Sequence, residues 1–207
     1  MKLEFYFDPS CPFCWVTSRW LLSVANKRDL DIVWRPFSLA LKNGELETGN
    51  DGRTDHLAAH RVIRVMLAAA KDGVPLLDLY TKFGIRHFMV GDEYDDAVIT
   101  DVLKELKLDL KYANSADDTK FDSTLKTAIH EATKIVGQDI GVPTIVFDFG
   151  GGKKTGFFGP VLQALPSEEE SIKLWDGLIK LAGSPDFYEL KRGRQSGGPD
   201  VFSTARC

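Results

Sequence analysis

Cysteine is scarce in this chain, with three residues among 207. Three thiols are too few to staple a fold of this size, and an odd number leaves one unpaired. The four histidines are scattered, at positions 56, 60, 87 and 130. Only His56 and His60 have ligand-pair spacing, and they would meet Cys11 and Cys14 in a zinc site only by long-range coincidence, so no metal is expected. A surplus of positive charge is missing too. Lys plus Arg is 26 against 30 for Asp plus Glu, without the basic excess of a nucleic-acid binder. Apolar runs stay far short of the ~20 residues that cross a bilayer. The opening Met1-Lys2-Leu3-Glu4 has no apolar stretch ahead of a cleavage site. These absences predict a cytoplasmic protein with no nucleic-acid or membrane partner.

What is present argues for a folded chain. A hydrophobic fraction of 43% with 11% aromatics excludes a disordered or collagen-like class. Leu3, Phe5 and Phe7 alternate with Glu4, Tyr6 and Asp8, which predicts a strand. Asp8-Pro9-Ser10 ends it. Val16, Trp20, Leu21 and Val24 then recur at helical spacing over residues 12–27, with Pro12 in the first turn, where its missing N–H costs nothing. Residues 30–39, with Ile32, Val33, Trp34 and Phe37, predict a second strand on which Pro36 argues for an edge or a bulge. So short a strand–helix–strand unit makes the helix a parallel crossover.

Residues 42–55 are polar and carry Gly44, Gly49 and Gly52, which predicts a surface loop. From residue 54 to 136 the pattern is helical, in about four helices. Strand grammar returns at residues 141–148, and a glycine-rich turn leads into a second short strand at 155–158, a hairpin. Ser167 caps the last helix with Glu170 three residues on, and Leu174, Trp175, Leu178 and Ile179 form its buried stripe. Residues 191–207 read as a mobile tail.

Cys11 and Cys14 carry the chemistry. Cys11 falls at the N-terminal edge of the first helix, where unpaired backbone N–H groups and the positive end of the helix favour an anion. The thiolate is the nucleophile of disulfide exchange. Cys11 is thus the attacking thiol, and Cys14, one turn inside, resolves the mixed disulfide.

In order, the aromatic strand, Asp8-Pro9-Ser10-Cys11-Pro12-Phe13-Cys14-Trp15, the helical block, and Gly141-Val142-Pro143-Thr144 before a hairpin and helix resemble the DsbA-like class of oxidoreductases. The resemblance implies an α/β thioredoxin fold (β-α-β … β-β-α) with an all-helical insertion. Residues 1–42 and 138–190 would form the thioredoxin-like domain, and residues 43–137 the insertion or lid. It also implies that Pro143 is cis and faces the cysteines, leaving the Val142 N–H and C=O free to pair with an extended substrate or thiol adduct.

Within that class, Cys-Trp-Val-Thr-Ser-Arg-Trp (residues 14–20), Phe157-Phe158-Gly159-Pro160-Val161-Leu162, Lys173-Leu174-Trp175-Asp176 and Glu189-Leu190-Lys191-Arg192 are similar to the actinobacterial mycothiol-dependent reductases. That group includes a nitroreductase with Pro-Trp between its cysteines, where this chain has Pro12-Phe13. The resemblance implies a cytoplasmic thiol–disulfide oxidoreductase with no tightly bound cofactor. Mycothiol, or a similar small thiol, would reduce it, and disulfides or electrophilic nitro-aromatic compounds would be its substrates. Kappa-type thiol transferases share the fold but hold serine where Cys11 stands, which argues against that alternative. A non-catalytic binding or chaperone module is the other one. A homodimer through the insertion or a sheet edge is left open.

Further candidates surround the pair. Pro12 and Phe13 lie between the cysteines. Trp15 follows them off the buried stripe, so its ring is a candidate wall for a planar substrate. Trp20 and Trp175 belong to apolar faces and read as core. Arg19 reads as a solvated arginine, or as a contact for the lid or an acidic partner. His60 and Arg64 share a helix face and are candidate donors for the hydroxyls of a sugar-based thiol. The Thr144 side chain is expected to turn into the sheet. Cys207 reads as a bystander at the chain end.

Overall fold

The computed structural model describes residues 1–49, 55–193 and 196–206. Strand β1 (Lys2–Phe7) is buried from Leu3 onward on both of its faces, because it is an inner strand of a four-stranded sheet of order β2-β1-β3-β4. Its two faces solve burial differently. Phe5 and Phe7 set their rings against Trp34 of β2 (Asp31–Pro36) at 5.3 and 6.1 Å. On the other face Glu4 accepts from Tyr6 Oη at 2.8 Å, Arg35 Nε at 3.1 Å and Lys154 Nζ at 2.6 Å. Burial works against that carboxylate, yet these donors hold its pKa below the usual value.

Strand β3 (Thr144–Asp148) runs antiparallel to β1, with Lys2 opposite Asp148 and Tyr6 opposite Thr144. Strand β4 (Lys154–Phe158) completes the expected hairpin antiparallel to β3. Gly156 is required there, since a Cβ would come within 2.6 Å of the Ile145 carbonyl oxygen. Strand β2 is shorter than expected and lies at the edge. Pro36, with no N–H to donate, ends it.

Helices α1 (Pro12–Arg28) and α8 (Glu168–Ala182) pack on each other. Trp20 and Trp175 meet at 6.1 Å, and Trp175 reaches Phe147 of β3 at 5.9 Å. Ser167 caps α8 through the Glu170 N–H, as its spacing predicts. Arg28 closes the far end of α1 on Asp176, bonding both carboxylate oxygens at 2.8 and 2.7 Å.

Contacts divide the chain into two units. One holds residues 1–7, 11–35 and 131–207, and the other residues 8–10 and 36–130. The second is helical, with α2 (Leu39–Lys42), α3 (Glu45–Thr48), α4 (His56–Lys71), α5 (Leu76–Gly84), a π-helical turn Ile85–Val90 and α6 (Asp96–Glu105). Two 3₁₀ turns and α7 (Asp122–Val136) follow. The expected loop at 42–55 is corrected in part. Ser38 caps α2, and Gly44 and Gly49, both at positive φ, bracket the short α3, while Gly52 lies outside the described residues.

Within residues 191–207, expected to be a mobile tail, one segment is ordered. Val201–Arg206 form a 3₁₀ helix, and Ser203 seats it by giving its backbone N–H to the Asp200 carboxylate at 3.1 Å. Cys207 lies outside the described residues. Among the described residues no helix is long and apolar enough to cross a membrane.

Candidate active site

Helix α1 starts where it does for two reasons. Pro12 suits its first turn, and Cys11 is its cap, with extended φ −85° and ψ 109°. The capping acceptor is a sulfur. The Cys14 N–H points at Cys11 Sγ at 3.3 Å, and the Trp15 N–H bonds the Cys11 carbonyl at 3.1 Å. Both cysteines are in the reduced thiol form. Cys11 keeps 9% of its surface and Cys14 none. Pro12 and Phe13 between them are half-buried.

Across from the pair, the Cys11 thiol donates to the Val142 carbonyl at 3.5 Å. The Val142–Pro143 bond is cis. Thr144 is buried and its Oγ1 donates to the Gly141 carbonyl at 2.8 Å, closing the turn that presents Val142. Positions 11, 14, 142 and 143 are therefore brought to one place by the first helix and the entry to β3. The Cys11 sulfur thus lies beside one backbone N–H at a helix start, with the Cys14 sulfur buried one turn inside.

The other candidates are placed differently. Trp15 is buried, and its indole Nε1 donates to Thr204 Oγ1 at 2.9 Å. Its ring is covered by the Arg19 guanidinium at 4.3 Å, so it offers no open wall. Arg19 is 5% exposed rather than solvated, with Nε on Ser18 Oγ at 3.1 Å. The sequence reading missed Thr204 altogether.

His60 and Arg64 do act together, as their spacing implies, but on a carboxylate of their own unit. Arg64 binds Asp122 from Nε and Nη2, both at 2.8 Å, and His60 Nε2 meets the same group at 3.1 Å. His60 Nδ1 lies 2.8 Å from Ser38 Oγ. The Asp122 carboxylate can only accept, which assigns the proton of the neutral His60 ring to Nε2, and the Ser38 hydroxyl, whose oxygen accepts the Leu41 N–H, then donates to Nδ1. Burial and then Arg64 push the His60 pKa down, against Asp122. Both side chains are buried, which corrects their reading as donors open to a small thiol.

Asp8, read only as a strand residue, is fully buried. It accepts from the Ser10 N–H at 2.8 Å, Ser10 Oγ at 2.6 Å and the Leu39 N–H at 2.7 Å. Burial raises its pKa despite these bonds. Tyr94 Oη donates to the Pro9 carbonyl at 3.2 Å. His56 is taken by Glu45 at 2.8 Å, and the His87 ring stacks on Tyr94 at 4.4 Å.

Comparison with solved structures agrees with this architecture. The cytosolic disulfide reductase DsbM from Pseudomonas aeruginosa superposes with a TM-score of 0.61 at 16% identity, covering 88% of this chain and all of that one. A probable DsbA oxidoreductase from Streptomyces coelicolor gives 0.57 at 18% identity, covering 97% of both chains. At such identities the likeness shows the fold, which is thioredoxin-like with an inserted helical region. The uncharacterised protein Rv2286c of Mycobacterium tuberculosis is 29% identical over 203 residues, 97% of this chain and 86% of that protein. The family model described as mycothiol-dependent nitroreductase Rv2466c matches residues 10–192. A thioredoxin-fold protein with a Cys-x-x-Cys pair at the start of its first helix, the chain belongs to that Rv2466c-like family.

Proposed function

We propose that the protein is a thiol–disulfide oxidoreductase whose Cys11–Cys14 dithiol is regenerated by mycothiol. The observation that carries the reading is the sulfur of Cys11. It keeps some exposure, receives the Cys14 N–H, and lies beside the Val142 carbonyl.

The Cys11 thiolate attacks one sulfur of a substrate disulfide, forming a mixed disulfide and expelling the other half as a thiolate. Cys14, once deprotonated, attacks Cys11 Sγ, releases the second half and closes the Cys11–Cys14 disulfide. The substrate gains two electrons and the protein loses them. Two molecules of mycothiol then restore the dithiol and leave as their own disulfide. Family membership supports mycothiol as reductant, and DsbM, of the same fold, has a solved structure with GSH, another small thiol.

The family description also supports a nitro-aromatic substrate. There the dithiol supplies two electrons and two protons, taking a nitro group to a nitroso group and water. The half-buried ring of Phe13, between the cysteines, is the one we assign to stacking with such a substrate.

Turnover of disulfides and nitro-aromatics with mycothiol and a mycothiol-regenerating reductase tests both. Activity in the wild type and none in Cys11→Ser is expected. Equal rates in the two proteins discard the catalytic assignment.

A further inference from the structure

The end of the chain is tied down at four points inside its own unit. Gln163 Nε2 donates to the Gly198 carbonyl at 2.8 Å, the Asp200 N–H to the Gln163 carbonyl at 2.7 Å, and the Leu165 N–H to Ser203 Oγ at 2.8 Å. The fourth bond is that of the Trp15 indole to Thr204 Oγ1, at 2.9 Å. Thr204 gives its own proton to the Val201 carbonyl at 2.7 Å, which leaves its oxygen oriented as an acceptor. Both side chains are buried, where a polar group without its partner is costly.

Trp15 belongs to the turn that holds the reactive sulfur. Its N–H bonds the Cys11 carbonyl, its carbonyl accepts Ser18 Oγ at 2.6 Å, and the N–H just before it is the one aimed at Cys11 Sγ. The first turn is the least restrained part of a helix, because its N–H groups lack intrahelical acceptors and its end frays. A clip serving only to hold the tail could be placed anywhere along α1. This one grips the residue that follows Cys14.

We propose that Thr204 is a positioning residue for the thiol pair: through the Trp15 indole it fixes the turn that aims the Cys14 N–H at the Cys11 sulfur. The inference deepens, and rests on, the exchange chemistry proposed above.

The rate of Cys11 alkylation by iodoacetamide at one fixed pH, followed by mass, reads how well that sulfur is held as a thiolate. Thr204→Val keeps the shape and removes the hydroxyl, and Thr204→Ser keeps the hydroxyl. The Val variant is expected to alkylate about threefold to tenfold more slowly, the range that one hydrogen bond's net worth translates into. It is also expected to hold less dithiol in a fixed thiol–disulfide buffer, while the Ser variant stays close to the wild type. Trp15→Phe, which deletes the indole donor, should give the same loss, and the double variant no more than either single one.

A folded Thr204→Val protein with wild-type rate and redox balance overturns the proposal, and so do additive losses in the double variant. Should Thr204→Val fail to fold, Trp15→Phe against Thr204→Ser makes the same comparison. Alkylation needs no disulfide substrate. A wild type that alkylates but exchanges with no disulfide would therefore remove the proposed function and leave the Thr204 comparison readable.

Discussion

Arg64 and Asp122 are joined by two parallel hydrogen bonds of 2.8 Å each, across 58 positions of sequence. Removing one partner of such a partly buried pair strands the other charge, at a cost of about 1–3 kcal/mol. Asp122→Ala is expected to lower the urea midpoint clearly. Arg64→Met, which fills much of the same space, should restore part of that loss when combined with it. A double variant less stable than Asp122→Ala alone would contradict this account.

The same cluster makes stability depend on pH. The His60 pKa is pushed down by burial and by Arg64, so the folded state holds fewer protons there than the unfolded chain. The contribution is complete above the unfolded value of about 6.5 and drains away as pH falls through it towards the folded one. Urea midpoints taken from about pH 7.5 to about pH 5 should fall, and His60→Gln should flatten that part of the slope. An unchanged slope in His60→Gln would place the titration elsewhere.

The unequal exposure of the two thiols separates their variants. Cys11→Ser should lose exchange altogether. Cys14→Ser keeps the attacking sulfur and loses the resolving one, so incubation with the disulfide of mycothiol should leave a stable adduct on Cys11, visible by mass. An adduct on Cys14 in Cys11→Ser, with none in the reverse case, would invert the roles.

Trp175 contacts both Trp20 and Phe147, so Trp175→Ala opens a cavity between α8, α1 and β3. A loss of about 3–5 kcal/mol is expected, read as a shift in denaturant midpoint. Gly156→Val acts by the opposite route, forcing a side chain against the Ile145 carbonyl, with an expected cost of about 1–3 kcal/mol or more.

What could be read in the sequence was local. The Cys11–Cys14 spacing, Pro12 in a first turn, Ser167 with Glu170, and the alternation of Leu3, Phe5 and Phe7 each state their meaning within a few residues. The face-sharing of His60 and Arg64 was equally visible. Their partner was not, because helical periodicity says which side chains lie together and not what they meet, and charged groups are normally turned to water. Arg19 escaped for the same reason. The docking of residues 201–206 was hidden behind Ser196-Gly197-Gly198-Pro199, which has linker composition. Its one local signal was Asp200, whose carboxylate takes the Ser203 N–H in the manner of a helix cap.

Full cover on Cys14 beside partial cover on Cys11 also decides how the protein meets oxidants. On the chemistry proposed above, peroxide is expected to meet the outer sulfur first and convert it to a sulfenic acid, with its neighbour one turn away to condense with it and expel water. If the proposed exchange operates, oxidative insult is channelled into the very bond that a small thiol undoes, before it climbs to the irreversible acids.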